Sequence, residues 1–457
     1  MEAKKLSRRE FMRLAVLGMA SVTVAACAPK ATPAPAAQPA APPTVAPKAA
    51  APTKTEQKLT LRMQTHSYAP LNAYVERKIG EYKDVEPNIE FQYAFSSEDW
   101  AKILASMAAG TGPDGFNQGD WQYPKFMQNG WMAPVVPEYF GLGSDEEVIS
   151  QFFPASTLEL IRDGQLYGLP FEWQCSMLYY NMKLFEEVGL DPNKGPSTWE
   201  EVLDYALKLV NFDAQGNVIR EGIGQSYTGI WTLIRWRPFI HQLGGRWLSE
   251  DGKKMEFDSP EGMKAIQYNV DWTVKHRVAM KGFEVPGVTG LGGSPYRGMW
   301  VSGAHEPASI KRNWPDHQYK VDWNYTPYPT WEGGKKVTGG WRWGLFCNSA
   351  SQHKGETWKF IKYMVDDWEG VLFDVGYYPS ITGWLDTPKG KEAVEKGPWL
   401  AEMVDDLALA IPQPMTPFWD ELTTPWNDGL DRMHAGEAVE TVVPQMVEQM
   451  NQILAQS

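Results

Sequence analysis

KLTLRMQTHSYAPLNAYVERKIGEYKDVEPNIEFQYAFSSEDWAKILASMAAG, residues 58–110, changes its hydrophobic period three times. Lys58 to Gln64 alternates, with Leu59, Leu61 and Met63 on one side, and predicts a strand. Leu71 to Tyr82 has helical spacing, and Asn88 to Phe95 reads as a second strand. A second helix then begins at a Ser96 or Ser97 cap. It aligns Trp100, Ile103, Leu104, Met107 and Ala108, and it stops at Gly110 with Pro113 beyond. Strand, helix, strand, helix predicts an α/β chain built on a parallel sheet.

Working outward, PDGF (Pro113 to Phe116) reads as a short strand, and GDWQYP follows in the loop at its carboxyl end. In open α/β sheets that end is where ligands bind. QLYGLPFE and SMLYYN read as further strands. PSTWEEVLDYALKLV predicts a helix with a Ser197 to Glu200 capping box and Val202, Leu203, Ala206 and Leu209 inward. Thr228 to Leu243 reads as a Trp-rich helix. FDSPEGMKAIQYNVDWTVKH caps with Ser259, sets Pro260 in the first turn and aligns Met263, Ile266, Val270 and Val274. GGWRWGLF (339–346) reads as a strand whose alternation turns Trp341 and Trp343 one way and Arg342 the other. Helices over Gln352 to Asp367 and Leu430 to Ile453 close the pattern, and no internal repeat is visible.

With 457 residues the chain can fill two or three domain-sized units, or one bilobed molecule. Its outlying feature is aromatic content, 21 Trp, 19 Tyr and 18 Phe, more indoles than ordinary core filling requires. Many therefore belong to clefts or surfaces. The net charge is −13, and residues 1–26 carry five basic against two acidic side chains, so the remainder holds −16. Such an acidic body argues against nucleic acid as a partner, since phosphate binding needs a basic face. The seven histidines are scattered, no CxxC occurs, and no metal or cofactor is expected. NFDAQGNVIREG (211–222) misses a calcium loop because Gly222 stands where a bidentate Glu belongs, so a hairpin turn is expected there. An enzyme is not expected either: GxSxG, HExxH and a P-loop are all missing. A glycosidase using two carboxylates is the competing class, because it would share the aromatic and acidic composition.

The N-terminal residues read as an address. Lys4, Lys5, Arg8, Arg9 and Arg13 precede a 13-residue apolar run, Leu14 to Ala26, too short to span about 30 Å of hydrocarbon. Arg8-Arg9 followed by Phe11 resembles a twin-arginine export signal, and Val24-Ala25-Ala26-Cys27 resembles a lipobox, with Cys27 the acylated first residue of the mature chain. Residues 28–57, almost all Ala, Pro, Thr and Lys, predict an extended, semi-rigid tether. The expected location is thus extracytoplasmic, anchored to the bacterial membrane by lipid. There Cys175 and Cys347 could pair, although two free buried thiols is the favoured reading.

Taken in order, AAGTGPDGF, LYGLPFEWQCSMLYYNMKLFEEVGLDP, PSTWEEVLDYALKL, DGKKMEFDSPEGMKAI, YTPYP, GGWRWGLF, HKGETWKFIKYM and GYYPS resemble the family 1 extracellular solute-binding proteins, the receptor subunits of carbohydrate ABC importers. The resemblance samples most of residues 58 to 384. It implies a two-lobed periplasmic-binding-protein fold, type II-like, each lobe a mainly parallel sheet flanked by helices. It places an N-lobe at 58–169 plus 331–375 and a C-lobe at 170–330 plus 376–457, with crossings near Pro170, Pro327 to Trp331 and Gly376. It further implies a monomer that holds a small-molecule carbohydrate between its lobes and passes it to an ABC importer permease; the many indoles lean towards a di- or oligosaccharide. A peptide, polyamine or iron receptor is the alternative among binding proteins.

A sugar shows polarised C–H bonds on its faces and hydroxyls around its edge. Indoles cover the faces, while Asp, Glu, Asn, Gln and Arg bond the hydroxyls. Candidate ligand-binding residues are therefore Asp120 and Trp121 after the PDGF strand, and Glu172, Trp173 and Gln174 beside the first crossing. Trp231, Arg235 and Trp236 on one helix, and Trp341, Arg342 and Trp343, complete the aromatic set. Glu306, with His305, stands where the family often carries an aromatic. Each has a structural alternative: lobe core for the indoles, a cap or turn for Asp120, a hinge ion pair for Glu172.

Overall fold

The computed structural model describes residues 58–96, 100–224, 229–283, 295–414 and 416–456. The signal-like segment, Cys27, the tether, the Ser97 cap and the start of the Thr228 helix lie outside the described residues. Fourteen strands appear among those described: β1 (Leu59–His66), β2 (Ile89–Ser96), β3 (Gly115–Gly119), β4 (Ile161–Arg162), β5 (Gln165–Leu166), β6 (Leu169–Pro170), β7 (Gln174–Asn181), β8 (Asn211–Phe212), β9 (Val218–Gly224), β10 (Arg297–Gly303), β11 (Trp323–Thr326), β12 (Thr338–Trp341), β13 (Trp343–Cys347) and β14 (Ala410–Ile411).

Two large sheets result. The first runs β2-β1-β3-β13-β6, and the second runs β14-β12-β7-β10-β9-β8, with β11 also paired to β7. The opening segment folds as its periods dictate. β1 pairs in parallel with β2 and with β3, the crossovers being the helices Ala69–Val85 and Trp100–Ala108. Most strands of each sheet run one way, with a few reversed. In the first, β13 is the reversed strand, antiparallel to both β3 and β6, so β6 runs with β1, β2 and β3; in the second, β7 meets β12, β10 and β11 antiparallel. β13 and β7 enter directly from the other sheet, not through a helical crossover, so nothing fixes them parallel to their neighbours.

β7 shows why the second sheet is central. All eight of its residues are buried, with Cys175, Met177 and Tyr179 in one apolar cluster and Leu178 and Tyr180 in another, so helices cover both faces.

The chain passes between the sheets three times. It leaves β6 at Pro170 and enters β7 at Gln174. It also passes after Gly376, where Tyr377 belongs to one core, Tyr378 to the other, and Pro379 bridges Glu172. The second passage falls at Arg342, between β12 and β13, and not at 327–331. That proline-containing segment stays on the second sheet: Thr330 bridges Thr198, and the Trp331 ring packs edge-on to Tyr268 at 4.8 Å.

Three local expectations shift. The capping box is Thr198 with Glu201, one residue on from Ser197 and Glu200, because the helix starts at Trp199, whose buried Nε1–H donates to Gln242 at 2.8 Å. The 430–453 helix is two, Trp419–His434 and Val439–Leu454, broken where Gly436 takes φ +99°. Val274 ends its helix exposed while Ile266 and Val270 are buried. Residues 211–222 form the expected hairpin, in which the Asp213 carboxylate accepts the backbone N–H groups of Gln215 and Asn217. Cys175 and Cys347 are free, buried, and in different sheets.

Candidate functional site

β1 and β3 end side by side, and β13 begins beside them, so His66, Asp120, Trp121 and Trp343 gather at one rim of the first sheet. On the second sheet, β9 and β10 are parallel. The segments after them lead to the helices Ile230–Gln242 and Glu306–Asn313, which bring Trp231, Arg235, His305 and Glu306. β12 delivers Trp341 to the same region. Both sheets thus present their carboxyl strand ends to one place, the arrangement in which open α/β sheets hold ligands.

A chain of ring contacts crosses from one sheet to the other. Trp341 meets Trp231 at 6.1 Å, Trp231 meets Trp121 at 5.5 Å, and Trp121 meets Trp343 at 5.0 Å, all steeply inclined. Trp343 then stacks on His66 at 3.7 Å and 17°. Glycines make room for it. A Cβ on Gly119 would sit 2.6 Å from the Trp121 ring, and one on Gly303 2.6 Å from the Trp341 ring. Exposure separates the members: Trp341 retains 2%, Trp121 and Trp343 retain 8% each, while Trp231 is only half-buried.

Carboxylates and amides surround the rings. Asp120 Oδ2 accepts the Arg342 backbone N–H at 3.2 Å, and Oδ1 has no hydrogen-bond partner among the described residues. Glu172 accepts from Gln174 Nε2 at 2.7 Å, and Gln174 Oε1 accepts the His305 backbone N–H at 3.1 Å. Glu306 accepts from the Ser302 hydroxyl at 2.5 Å. Arg235 lies 6.0 Å from the centre of the Trp231 ring. Burial is the leading cause of every pKa change here: it raises Asp120 and Glu306 to about 7 and Glu172 to about 8, and it lowers Arg235 to about 10. The site is thus dry, acceptor-rich and close to neutral.

Those raised carboxyls carry a pH prediction. Between roughly pH 4.5 and 8 folded Glu172 keeps a proton that the unfolded chain has released, so the fold loses stability as pH rises through that window. Glu172→Gln is neutral at every pH and keeps a side-chain amide in place. Urea unfolding at pH 5, 6, 7 and 8 is therefore expected to give the variant a flatter decline than the parent. An identical slope would mean that Glu172 is already ionised in the fold.

Three sequence candidates stand elsewhere. Trp236 packs in the core against Trp426 and His434. Trp173 is buried with its Nε1–H donating to the Leu407 carbonyl at 3.1 Å. Arg342 points away from the indoles and is wholly buried, pairing with Glu159 and donating to the Ala155 and Ser156 carbonyls. Five residues absent from the sequence candidates join the site. His66 Nδ1 bonds Asn117 Oδ1 at 2.6 Å and its Nε2 bonds Tyr377 Oη at 3.2 Å; Tyr377 stacks on Tyr68 at 5.4 Å, and Arg312 lies 5.8 Å from the Tyr68 ring centre. Burial holds His66 near 4, neutral at physiological pH. His66 ends the first strand, so the strand-end rule already pointed to it, whereas Tyr377 lies in GYYPS, at a passage between the sheets.

An α/β body of two sheets exchanging strands, with an aromatic and acidic site between their carboxyl ends, defines a two-lobed solute receptor. The chain belongs to the family described as bacterial extracellular solute-binding protein, whose model matches residues 64–367. Among its relatives is a "Probable amino-acid ABC transporter periplasmic-binding protein" of Sinorhizobium fredii, 22% identical over 76% of this chain and 77% of the relative. Another is an arabinooligosaccharide-binding protein of Halalkalibacterium halodurans, 24% identical over 39% of this chain and 37% of the relative. In fold the chain is similar to an ABC transporter solute-binding protein of Thermotoga lettingae solved with α-D-tagatose, with TM-score 0.72, 23% identity, and coverage of 87% of this chain and all of the other.

Proposed function

We propose that this protein is a lipid-anchored, monomeric receptor that holds a di- or oligosaccharide between its lobes without altering it, and delivers it to an ABC importer permease in the membrane. The observation that carries the reading is the indole chain spanning both sheets beside buried Asp120, Glu172 and Glu306. Sheet membership supports one lobe of 58–170 with 343–375 and another of 174–341 with 378–456. In the open state the ring chain would part between Trp121 and Trp231, and a sugar bridging them would favour closure through its contacts to both sides. The printed names of the H. halodurans relative and the T. lettingae structure support a sugar. The S. fredii relative favours a second reading, an amino acid.

One titration separates these readings. Intrinsic tryptophan fluorescence of the full chain, followed against sugars and amino acids, is expected to shift at micromolar oligosaccharide, about −8 kcal/mol, with the sugar recovered intact. Response to amino acids alone would select the second reading, and sugar cleavage products would make the protein an enzyme.

The Val24-Ala25-Ala26-Cys27 motif and the tether support the anchor. No helix among the described residues is long and apolar enough to cross a membrane. Each buried acyl CH₂ contributes about 0.8 kcal/mol, so two or more chains on Cys27 would hold the protein firmly. Cys27→Ser is expected to move the protein from the membrane pellet to the soluble fraction. Continued sedimentation of that variant with membranes would eliminate the lipid anchor.

A further inference from the structure

A cavity of about 280 Å³ opens in the second lobe, between the 326–330 segment, β12 and the short helix Val404–Ala408. It is roughly twice the volume of an engineered apolar cavity that takes up benzene. Pro327, Tyr328, Val337 and Leu409 give it an apolar body. Of the five hydroxyls on its lining, those of Thr326 and Thr330 can still donate, and the other three are committed. The Ser197 hydroxyl donates to Glu201, the Tyr328 hydroxyl to the Arg235 carbonyl and the Thr338 hydroxyl to the Ser176 carbonyl, so each of these oxygens has only lone pairs left to offer. At the same wall stands Asp406, 6% exposed, whose carboxylate has neither a hydrogen bond nor an ion pair among the described residues. Burial, with repulsion from Asp405 added, raises its carboxyl to about 6, the behaviour of an acid lacking a counter-ion. Lys336, the one cationic side chain on the lining, is exposed and forms no ion pair with it.

We propose that this cavity is a second binding site, separate from the inter-lobe cleft, for a small amine with an apolar body, its ammonium held by Asp406. An apolar chamber with three hydroxyl acceptors and one buried, unpaired carboxylate suits a donor-only cationic head on a hydrophobic stem, and disfavours an anion. The proposal does not depend on what the cleft binds.

Calorimetry of the full chain with phenethylamine and, separately, phenethyl alcohol tests it. The amine is expected to bind at least tenfold more tightly than its neutral isostere. Asp406→Asn should bring the two to equal affinity, and Val337→Phe, which fills the chamber from its half-buried edge, should abolish both. Trp231→Ala, in the cleft, should leave amine binding unchanged, so failure of the sugar reading and of this one can be told apart. Equal binding of amine and alcohol by the parent, no amine binding in the millimolar range, or a preference surviving Asp406→Asn would overturn the proposal. Amine binding that appears only after Lys336→Ala would also overturn it, since the lysine would then be the natural partner of Asp406.

Discussion

Replacing Arg342 with alanine is expected to destabilise the protein by about 3–5 kcal/mol, the loss seen when one partner of a buried ion pair is removed. Arg342 is the single residue between β12 and β13, at the passage from the second sheet to the first. Its side chain is fully buried. One guanidinium nitrogen donates to Ala155 O at 3.1 Å and to Ser156 O at 2.7 Å; the other donates to Tyr123 Oη at 2.9 Å and pairs with Glu159. The guanidinium also lies 5.4 Å from the Trp173 ring centre and 5.9 Å from that of Tyr123. Alanine would strand a carboxylate that is only 10% exposed, together with two carbonyls, and would leave a void between two rings. Guanidinium denaturation measures the loss. Arg342→Met with Glu159→Gln removes the pair without an orphaned charge, and it should recover part of the stability that Arg342→Met alone forfeits. A single variant within about 1 kcal/mol of the parent would mean that the cluster contributes little beyond packing.

Arg342 also marks a limit of sequence reading. Alternation correctly turned it away from Trp341 and Trp343, but what waits on the far side depends on residues 155, 156 and 159, distant in sequence. A charged residue between two indoles therefore read as a ligand contact. The opening 58–110 unit was legible because strand alternation and helical spacing are local signals that the first sheet leaves intact. Strand direction at β13 and β7 was not, because it depends on where the chain passes between sheets. The second passage was missed for a related reason: TPYP carries the composition of a linker, yet Tyr328 is buried and its hydroxyl donates to the Arg235 carbonyl. Gly436, by contrast, was a visible stop within the 430–453 segment, and sustained hydrophobic spacing on either side masked it.

Trp231→Ala is expected to weaken sugar binding tenfold to a hundredfold, about 1.4–2.8 kcal/mol, with little change in unfolding midpoint. Trp236→Ala is expected to do the reverse. The helix that carries both turns 100° per residue, so residues five apart lie about 140° apart and do not share a face, whereas Arg235, four on, sits above Trp231. Trp236 goes to the core, where truncation costs about 3–5 kcal/mol of stability and leaves the affinity of the folded molecules unchanged. Trp231 is the member of the indole chain with area still open to a ligand, and Arg235, 6.0 Å from its ring centre, flanks it. Calorimetry with the sugar identified by the fluorescence titration, paired with thermal unfolding of both variants, distinguishes the two roles. If Trp231→Ala binds as the parent does, or if both variants lose stability alike, the ring chain is interior packing between the lobes, and the recognition surface must be sought among His66, Tyr68 and Tyr377.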